Sequence, residues 1–266
     1  MKRMSILFLT LVTVVSTGYF KPAERSHGIS SREANQHWSD VDKQKIAQLL
    51  SSSTPIKWVF TGNSITQGAK HTHGLRAYPE IFAERVRFEM NRSRDIVVNT
   101  AISGHTIKSI LDDFNWRVAK LNPHVVFLMI GTNDAATGNQ TSVPQFVDRI
   151  QTFITQVRAM GAVPILLSPT SIITDLALER SNLELYVEAM RDVAEEKEVI
   201  FVDNWSIWDT EMETKYNGKV YQQLLNDPLH PNGLGHKEIA ISLFKALNIF
   251  DASQPTGGAP YYEGQH

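Results

Sequence analysis

Three side chains in this sequence have the types and the spacing that can turn a hydroxyl group into a nucleophile. Ser64 lies in the turn Gly62-Asn63-Ser64-Ile65-Thr66, directly after an apolar run at residues 58 to 61. His230 lies far along the chain, with Asp227 three positions before it. A serine hydroxyl becomes reactive when an imidazole takes its proton, and a carboxylate orients that imidazole. The three residues therefore supply the parts of an activated serine nucleophile.

Each of these residues also has a structural interpretation. Serine is common in turns and at helix N-caps, so Ser64 alone does not indicate catalysis. His230 lies between Pro228 and Pro231, which stiffen its loop, but a loop histidine before a final helix is the alternative. The chain has eight other histidines, of which His236 is the nearest rival as a base.

Two further polar segments follow apolar runs between the serine and the histidine. Gly104 comes after the run at residues 96 to 98, and Asn133 comes after the run at residues 125 to 130. Open α/β sheets place their sites at the carboxyl ends of strands, so these segments are expected to lie near Ser64. Gly104 could also serve a turn that needs positive φ, and Asn133 or its neighbour Asp134 could cap a helix.

The four segments, in this order, resemble the SGNH (GDSL) hydrolase family, whose letters correspond here to Ser64, Gly104, Asn133 and His230. The resemblance covers residues 56 to 247. It implies a flavodoxin-like sheet with strand order 2-1-3-4-5 and an ester-hydrolysing site that needs no cofactor and no metal. It also implies an oxyanion hole made by the backbone N–H groups of Ser64 and Gly104 and the side-chain amide of Asn133. The family's Asp-x-x-His pattern selects His230 and Asp227.

Asn63 departs from the commoner family pattern, in which an aspartate precedes the nucleophile. The negative charge beside the site is therefore missing, but an asparagine can make the same loop hydrogen bonds with a neutral acceptor. We expect Asn63 to lie near the bound substrate.

Composition excludes several classes of protein. The chain has 266 residues, of which 42% are hydrophobic and 20% charged, so it can bury a full core. With 26 basic and 28 acidic residues, the net charge is close to zero, and nucleic acid is not an expected partner.

The first residues are typical of an export signal. Lys2 and Arg3 precede an apolar run at residues 6 to 15, and small residues follow up to Gly18. We predict a signal peptide over residues 1–20; an uncleaved anchor is the alternative. The chain has no cysteine, so it cannot form disulfides. An export signal without disulfides favours a secreted or periplasmic enzyme. We expect no stable membrane insertion once the signal is cleaved.

Alternating apolar runs and amphipathic stretches predict a three-layer α/β/α fold with one five-stranded parallel sheet. The predicted strands lie near residues 57–61, 96–99, 125–130, 163–168 and 199–202. The predicted helices lie near residues 39–50, 77–91, 106–120, 142–160, 178–196 and 233–247. The hydrolase domain is expected over residues 56–250, after an extension over 21–55 that contains one helix. Residues 251–266 are predicted to form an unstructured tail.

Two polar and aromatic segments are candidates for substrate contacts. Arg76 follows the nucleophile closely, and Trp205 and Trp208 precede the Asp-His loop. Tryptophan faces can stack on sugar rings, although the same aromatics could pack the loop onto the body. His71 and His73 form only a weak metal signal, since no further ligands accompany them.

We therefore expect a secreted serine esterase that removes small acyl groups, above all acetyl, from carbohydrate. Its expected partner is a small-molecule or polysaccharide ester substrate. The alternatives are a lipase or lysophospholipase, an O-acyltransferase acting on carbohydrate, and a non-catalytic carbohydrate-binding protein of the same fold. The sequence does not indicate an oligomeric state.

Overall fold

The computed structural model describes residues 40–68 and 70–262. The predicted signal peptide, residues 21 to 39 of the extension and residues 263 to 266 of the predicted tail lie outside the described residues. Within the described part, no helix has both the length and the apolar character to cross a bilayer.

A single parallel sheet of five strands organises the chain, with the order β2-β1-β3-β4-β5. The predicted α/β fold with strand order 2-1-3-4-5 is confirmed, because helices cover both faces of this sheet. The strands are β1 Lys57–Gly62, β2 Ile96–Asn99, β3 Val125–Met129, β4 Val163–Leu167 and β5 Ile200–Val202.

The helices follow the predicted periodicity with two interruptions. The helices Asp40–Ser51, Val143–Ala159, Leu183–Glu196 and Gly233–Ala246 are continuous. The predicted helix near 77–91 is α-helical over Tyr78–Glu84 and continues as a π-helix over Arg85–Glu89. The predicted helix near 106–120 is broken into Ile107–Asp112, Phe114–Arg117 and the 3-10 turn Ala119–Leu121. Short helices also fill the region before the Asp-His loop, at Asn204–Ile207, Trp208–Met212, Glu213–Lys215 and Val220–Leu224.

Alternate residues of the central strands feed two separate cores, as expected for strands buried on both faces. On one face, Phe60 stacks on Phe127 with ring centroids 4.2 Å apart, and Phe82 meets both rings edge-on. On the other face, Val59 and Leu128 belong to a second core, in which aliphatic side chains pack with Phe146, Phe153 and Tyr186. This packing supports the register in which the strands pair.

The N-terminal helix Asp40–Ser51 is attached to the sheet by a few contacts. Ile46 is 2% exposed and joins the aromatic core, while Lys45 Nζ donates to the carbonyl of Gly161 at 2.7 Å. Arg158 pairs with Asp42 at 3.2 Å.

The end of the chain differs from the unstructured tail that the sequence suggested. Residues Pro255–Gly257 form a 3-10 turn, and Thr256 is 1% exposed. Its backbone N–H donates to Glu89 Oε1 at 3.0 Å, and its hydroxyl donates to Glu89 Oε2. The buried carboxylate of Glu89 thus holds this segment in place. The composition of the segment alone could not show this contact.

The topology brings the carboxyl ends of β2, β1 and β3 side by side. Phe60 pairs with Asn99, and Gly62 pairs with Met129. The segments after these three strands, which carry Gly104, Ser64 and Asn133, therefore start from one edge of the sheet.

Candidate active site

Ser64 is the first residue of a one-turn helix, Ser64–Gln67, that starts where β1 ends. Asn63 caps this helix, since its Oδ1 accepts from the backbone N–H of Ile65 at 3.1 Å. Gly62 makes the turn possible, because a Cβ atom there would lie 2.5 Å from the carbonyl oxygen of Met129. Asn63 is 1% exposed, so the predicted contact between its side chain and a substrate is wrong: the amide is buried as a cap.

The structure brings Ser64, His230 and Asp227 together in one hydrogen-bonded series. Ser64 Oγ lies 2.8 Å from His230 Nε2. On the other side of the ring, His230 Nδ1 lies 2.9 Å from Asp227 Oδ2. If Nδ1 carries the proton, Nε2 is free to accept the proton of the serine hydroxyl, so this arrangement can deprotonate an attacking serine.

Asp227 is held by the loop that it shares with His230. Its Oδ1 accepts the backbone N–H groups of Leu229 at 2.8 Å and of His230 at 2.7 Å. Burial acts to raise the pKa of the Asp227 carboxyl, but these two N–H groups and the ring of His230 outweigh burial and hold the pKa below its usual value. Asp227 is therefore ionised at neutral pH and can stabilise an imidazolium.

The Asp-His loop is closed at its base by backbone contacts. The backbone N–H of Asn226 donates to the carbonyl of His230 at 2.8 Å, and Leu225 forms a bridge with Pro231. Asn232 then caps the last helix, accepting from Leu234 and Gly235. The loop conformation is thus set locally and does not depend on a substrate.

The loop that carries Gly104 is bonded to the turn that carries Ser64. The backbone N–H of Ile102 donates to the carbonyl of Gly62 at 3.2 Å, and Ser103 donates twice to the side chain of Gln67. Gly104 has a φ of 82°, a conformation that favours glycine. Both interpretations of Gly104, the turn and the backbone donor, are compatible with this placement.

Asn133 joins the same group of loops. Its Nδ2 donates to the carbonyl of His105 at 3.0 Å, next to Gly104. On its other side, Arg180 donates to the backbone carbonyl of Thr132 at 3.1 Å and lies 3.4 Å from Asn133 Oδ1. Arg180 was not identified from the sequence, because it belongs to no local motif and is remote from Asn133 along the chain.

The neighbouring Asp134 has the structural role that the sequence suggested, but for a different helix. Its Oδ1 accepts the backbone N–H of Ile107, at the start of the helix Ile107–Asp112, at 3.0 Å. Burial raises the pKa of Asp134 to about 6, although backbone hydrogen bonds, including that from Ile107, act in the opposite direction.

His236, the rival base, lies below the site and not in it. The residue is 1% exposed, and its Nδ1 accepts the backbone N–H of Tyr78 at 3.3 Å. Burial is the main cause that lowers the pKa of His236 to about 3, with the charge of His230 acting in the same direction. His236 is therefore a neutral core histidine.

The other candidate substrate contacts are placed less favourably. Trp208 is fully buried in the aromatic core, so its predicted contact with substrate is wrong. Trp205 is half-buried at the margin of the other core, where its backbone N–H donates to Ser168. Arg76 pairs with Glu84 and donates to the hydroxyl of Tyr261 at 2.6 Å, so its described partners lie outside the site. These aromatics mainly pack the loop onto the body, which was the alternative interpretation.

A cleft of about 550 Å³ opens beside His230. One wall is the Asp-His loop, and the opposite wall is the segment of residues 175 to 180, which combines polar and apolar side chains. Its polar members are Asp175, Glu179 and Arg180, and its apolar members include Leu176 and Leu178.

His71 lies against the histidine of the site, a contact that the sequence did not predict. Its ring is parallel to that of His230, with centroids 3.7 Å apart, and its Nδ1 lies 3.3 Å from Asp227 Oδ2. These three residues are close enough to share a metal ion. However, the nitrogen lone pairs lie in the two ring planes, which are parallel and do not meet, so the rings would have to tilt before both could bind one ion in their planes.

Sequence comparison identifies relatives of this chain among known proteins. The chain is 26% identical over 213 residues to the isoamyl acetate-hydrolyzing esterase of Saccharomyces cerevisiae, covering 73% of this chain and 87% of the esterase. It is 22% identical over 212 residues to the acetylxylan esterase of Geobacillus stearothermophilus, covering 73% of this chain and 94% of that protein. An uncharacterised protein of Mycoplasma pneumoniae is 30% identical over 120 residues, but the chain spans only 14% of its length.

The fold also resembles that of solved structures. An α/β hydrolase enzyme from the metagenome of Lake Arreo, Spain, superposes with a TM-score of 0.61 at 23% identity, over 74% of this chain and 98% of that one. The sequence model of the GDSL-like lipase/acylhydrolase family matches residues 60–238, a stretch that contains the turn of Ser64, the Gly104 and Asn133 loops and the Asp-His loop. The chain belongs to the GDSL-like lipase/acylhydrolase family and is a carboxylic ester hydrolase.

Proposed function

We propose that this protein is a secreted serine esterase that removes small acyl groups, most of all acetyl, from carbohydrate esters. The observation that carries the catalytic part is the continuous series of hydrogen bonds from Ser64 through His230 to Asp227. The enzyme class follows from the family; the roles of individual residues and the substrate are the proposal.

In the proposed cycle, Ser64 Oγ attacks the ester carbonyl while His230 Nε2 takes the hydroxyl proton. The resulting oxyanion accepts hydrogen bonds from the backbone N–H groups of Ser64 and Gly104 and from Asn133 Nδ2. His230 then returns the proton to the leaving alcohol, and an acyl-serine remains. A water molecule, deprotonated by His230, attacks this acyl group, and the acid leaves as Ser64 regains its proton.

The cleft beside His230 supports a small polar alcohol as the leaving group. A volume of about 550 Å³ lies in the range of small-molecule sites. Asp175, Glu179 and Arg180 can exchange hydrogen bonds with sugar hydroxyls, while Leu229 lies on the opposite wall beside the base. The relative named acetylxylan esterase supports the same choice.

A second candidate is hydrolysis of acetate esters of small apolar alcohols. Leu176 and Leu178, on the same wall, are 69% and 71% exposed, so they offer apolar surface to a substrate. The relative named isoamyl acetate-hydrolyzing esterase favours this candidate. Rates on acetylated xylose oligomers and on isoamyl acetate separate the two candidates, and long-chain lipid esters and added sugar acceptors test the lipase and acyltransferase alternatives.

Replacing Ser64 by alanine tests the catalytic assignment. We expect Ser64→Ala to lose more than a thousandfold in kcat on an aryl acetate, because the nucleophile is removed. Ser51→Ala, at an exposed serine of the N-terminal helix, is the control and should keep full activity. A fluorophosphonate should label the wild type and not Ser64→Ala; full hydrolysis by Ser64→Ala would overturn the assignment.

Secretion rests on the sequence pattern of residues 1–20 alone. Fractionation of a bacterial host that expresses the full chain, followed by N-terminal sequencing of the product, tests it. A product that stays in the cytoplasm and begins at Met1 would contradict it.

A further inference from the structure

We propose that His71 is a positioning residue, which holds the ring of His230 in place and supports the positive charge that this ring carries during acyl transfer. The inference rests on the proposed function, because it gives His71 a role in the same reaction. The observation behind it is the parallel contact of the two imidazoles over one carboxylate.

The contact is one of the closest ring pairs in the described part of the chain. The ring planes of His71 and His230 differ by 1°, and their centroids are 3.7 Å apart. A ring stacked on one face of His230 restricts rotation of that imidazole out of its plane. It therefore helps to keep Nε2 on Ser64 and Nδ1 on Asp227 at the same time.

The loop that carries His71 is itself fixed. Lys70 and His73 on either side have φ values of 65° and 54°, and Gly74 follows with 81°. Thr72 is 5% exposed, and its hydroxyl donates to the carbonyl of Gly68 at 3.2 Å. His71 thus projects from a tight turn whose shape is set by its neighbours.

Asn226 determines which nitrogen of His71 can carry a proton. Its Nδ2, which can only donate, lies 2.9 Å from His71 Nδ1, and its Oδ1 contacts His73 Nε2. His71 Nδ1 is therefore an acceptor in the neutral ring. The carboxylate of Asp227 then receives no proton from His71 and remains available to His230.

The charge state of His71 decides whether it helps or hinders the reaction. The face of a neutral ring attracts the imidazolium that forms on His230. A protonated His71 would instead repel that imidazolium and compete for Asp227. The titratable and charged groups that face His71 are Lys70 and His73 on its own loop, Asp227 and His230 on the Asp-His loop, and His236 in the last helix.

The net effect of these groups and of burial is to lower the pKa of His71, which favours its neutral form. Burial lowers the pKa of His71, the charge of His230 adds to this effect, and Asp227 acts in the opposite direction. The ring is 23% exposed. His71 is therefore mostly neutral at pH 7, and a charge on His230 favours its neutral form further.

The test compares two substitutions at His71 with one at an exposed serine of the helix Asp40–Ser51. We expect His71→Ala to lower kcat on an aryl acetate roughly tenfold with little change in KM, because the support of the charged ring is lost. His71→Phe keeps a flat ring over His230 and should recover kcat to within about threefold of wild type. Ser51→Ala, at an exposed serine whose hydroxyl bonds within its own helix, is the control and should match the wild type.

A merely structural role of His71 would give a different pattern. In that case His71→Ala would lower the melting temperature and the amount of active enzyme, and titration of active sites with a fluorophosphonate would leave kcat per active site unchanged. Equal kcat per active site in His71→Ala and the wild type would overturn the inference, as would a His71→Phe variant as slow as His71→Ala.

A titration of the histidine rings by NMR gives a measurement that does not depend on turnover. The ring of His71 should protonate below the usual value for histidine, about 6.5. A His71 ring that protonates at or above that value would overturn the inference even in an active enzyme. If the wild type hydrolyses no ester, or Ser64→Ala is fully active, the proposed function fails, and the titration still decides whether His71 is neutral at pH 7.

Discussion

Asp227 shows how one side chain can orient both a loop and a base. Its Oδ1 accepts two backbone N–H groups, and its Oδ2 faces the ring of His230. The spacing of three residues is what allows this, because an aspartate can accept from the backbone two and three positions ahead of it. The Asp-x-x-His pattern is therefore a local conformation as well as a pair of functional groups.

Removing the charge of Asp227 should slow the reaction without unfolding the loop. In Asp227→Asn, Oδ1 can still accept the backbone N–H groups, but an amide cannot stabilise an imidazolium, and it allows the wrong tautomer of His230. We expect kcat on an aryl acetate to fall roughly a thousandfold, with KM nearly unchanged. Asp112→Asn, at an exposed aspartate paired with Lys108, is the control. A loss of less than tenfold in Asp227→Asn would argue against the proposed role.

Single residues also show where sequence patterns lose information. Trp208 and Trp205 are only three positions apart, yet one is fully buried and the other lies at the margin of a core. Tryptophan packs cores and binds sugars with the same face, so residue type could not separate these roles. His71 and Arg180 could not be assigned because their partners, Asp227 and Asn133, approach them only in the folded chain.

At the scale of elements, the positions of strands and helices could be predicted well. The strands β1, β3 and β4 are apolar runs buried almost throughout, whereas β2, at the edge of the sheet, is an apolar run that is only partly buried. Such runs can be recognised without knowledge of their partners. The breaks within residues 106 to 120 could not be predicted, because they depend on distant groups. Arg117, buried in this region, donates to the carbonyl groups of Gly62 and Thr100. The strand order came from the family resemblance and not from periodicity.

Asp134 connects the end of β3 to the start of the helix Ile107–Asp112, and this connection should depend on pH. The pKa of Asp134 is raised to about 6, so folding favours its protonated form. The resulting advantage is fully present below the unfolded value, near 3.9, and is lost as the pH rises through about 6. Raising the pKa of Asp134 by about two corresponds to a change of roughly 3 kcal/mol in the free energy of unfolding across this pH range.

We therefore expect Asp134→Asn to change the pH dependence of stability. An asparagine oxygen can still accept from Ile107, but the residue cannot ionise. Relative to the wild type, Asp134→Asn should gain roughly 2 to 3 kcal/mol in free energy of unfolding between pH 4 and pH 8. Urea denaturation at both pH values measures this, with Asp148→Asn on the helix Val143–Ala159 as control. Parallel stability curves for Asp134→Asn and the wild type would contradict the raised pKa.

At the scale of the whole molecule, the active edge and the chain end are held by different sets of contacts. The loops of Ser64, Gly104, Asn133 and His230 bond to one another at the carboxyl edge of the sheet. The end of the chain instead attaches to the π-helix Arg85–Glu89, where Arg85 donates to the carbonyl of Ile249 at 2.8 Å. Stability and activity should therefore respond separately to substitutions in these two regions.

Thr256→Val tests this separation, because valine has the shape of threonine but no hydroxyl to donate to Glu89. Glu89 keeps the backbone N–H of residue 256 and the guanidinium of Arg85 as donors. We expect the free energy of unfolding to fall by about 1 to 3 kcal/mol, since a hydrogen bond to a charged group is lost. The kcat on an aryl acetate should stay within twofold of wild type. Ser253→Ala, whose hydroxyl bonds to the nearby Asp251, should cost less than about 0.5 kcal/mol. If Thr256→Val lowered kcat strongly while leaving urea stability unchanged, the chain end would have to communicate with the active edge, and the two regions would not be independent.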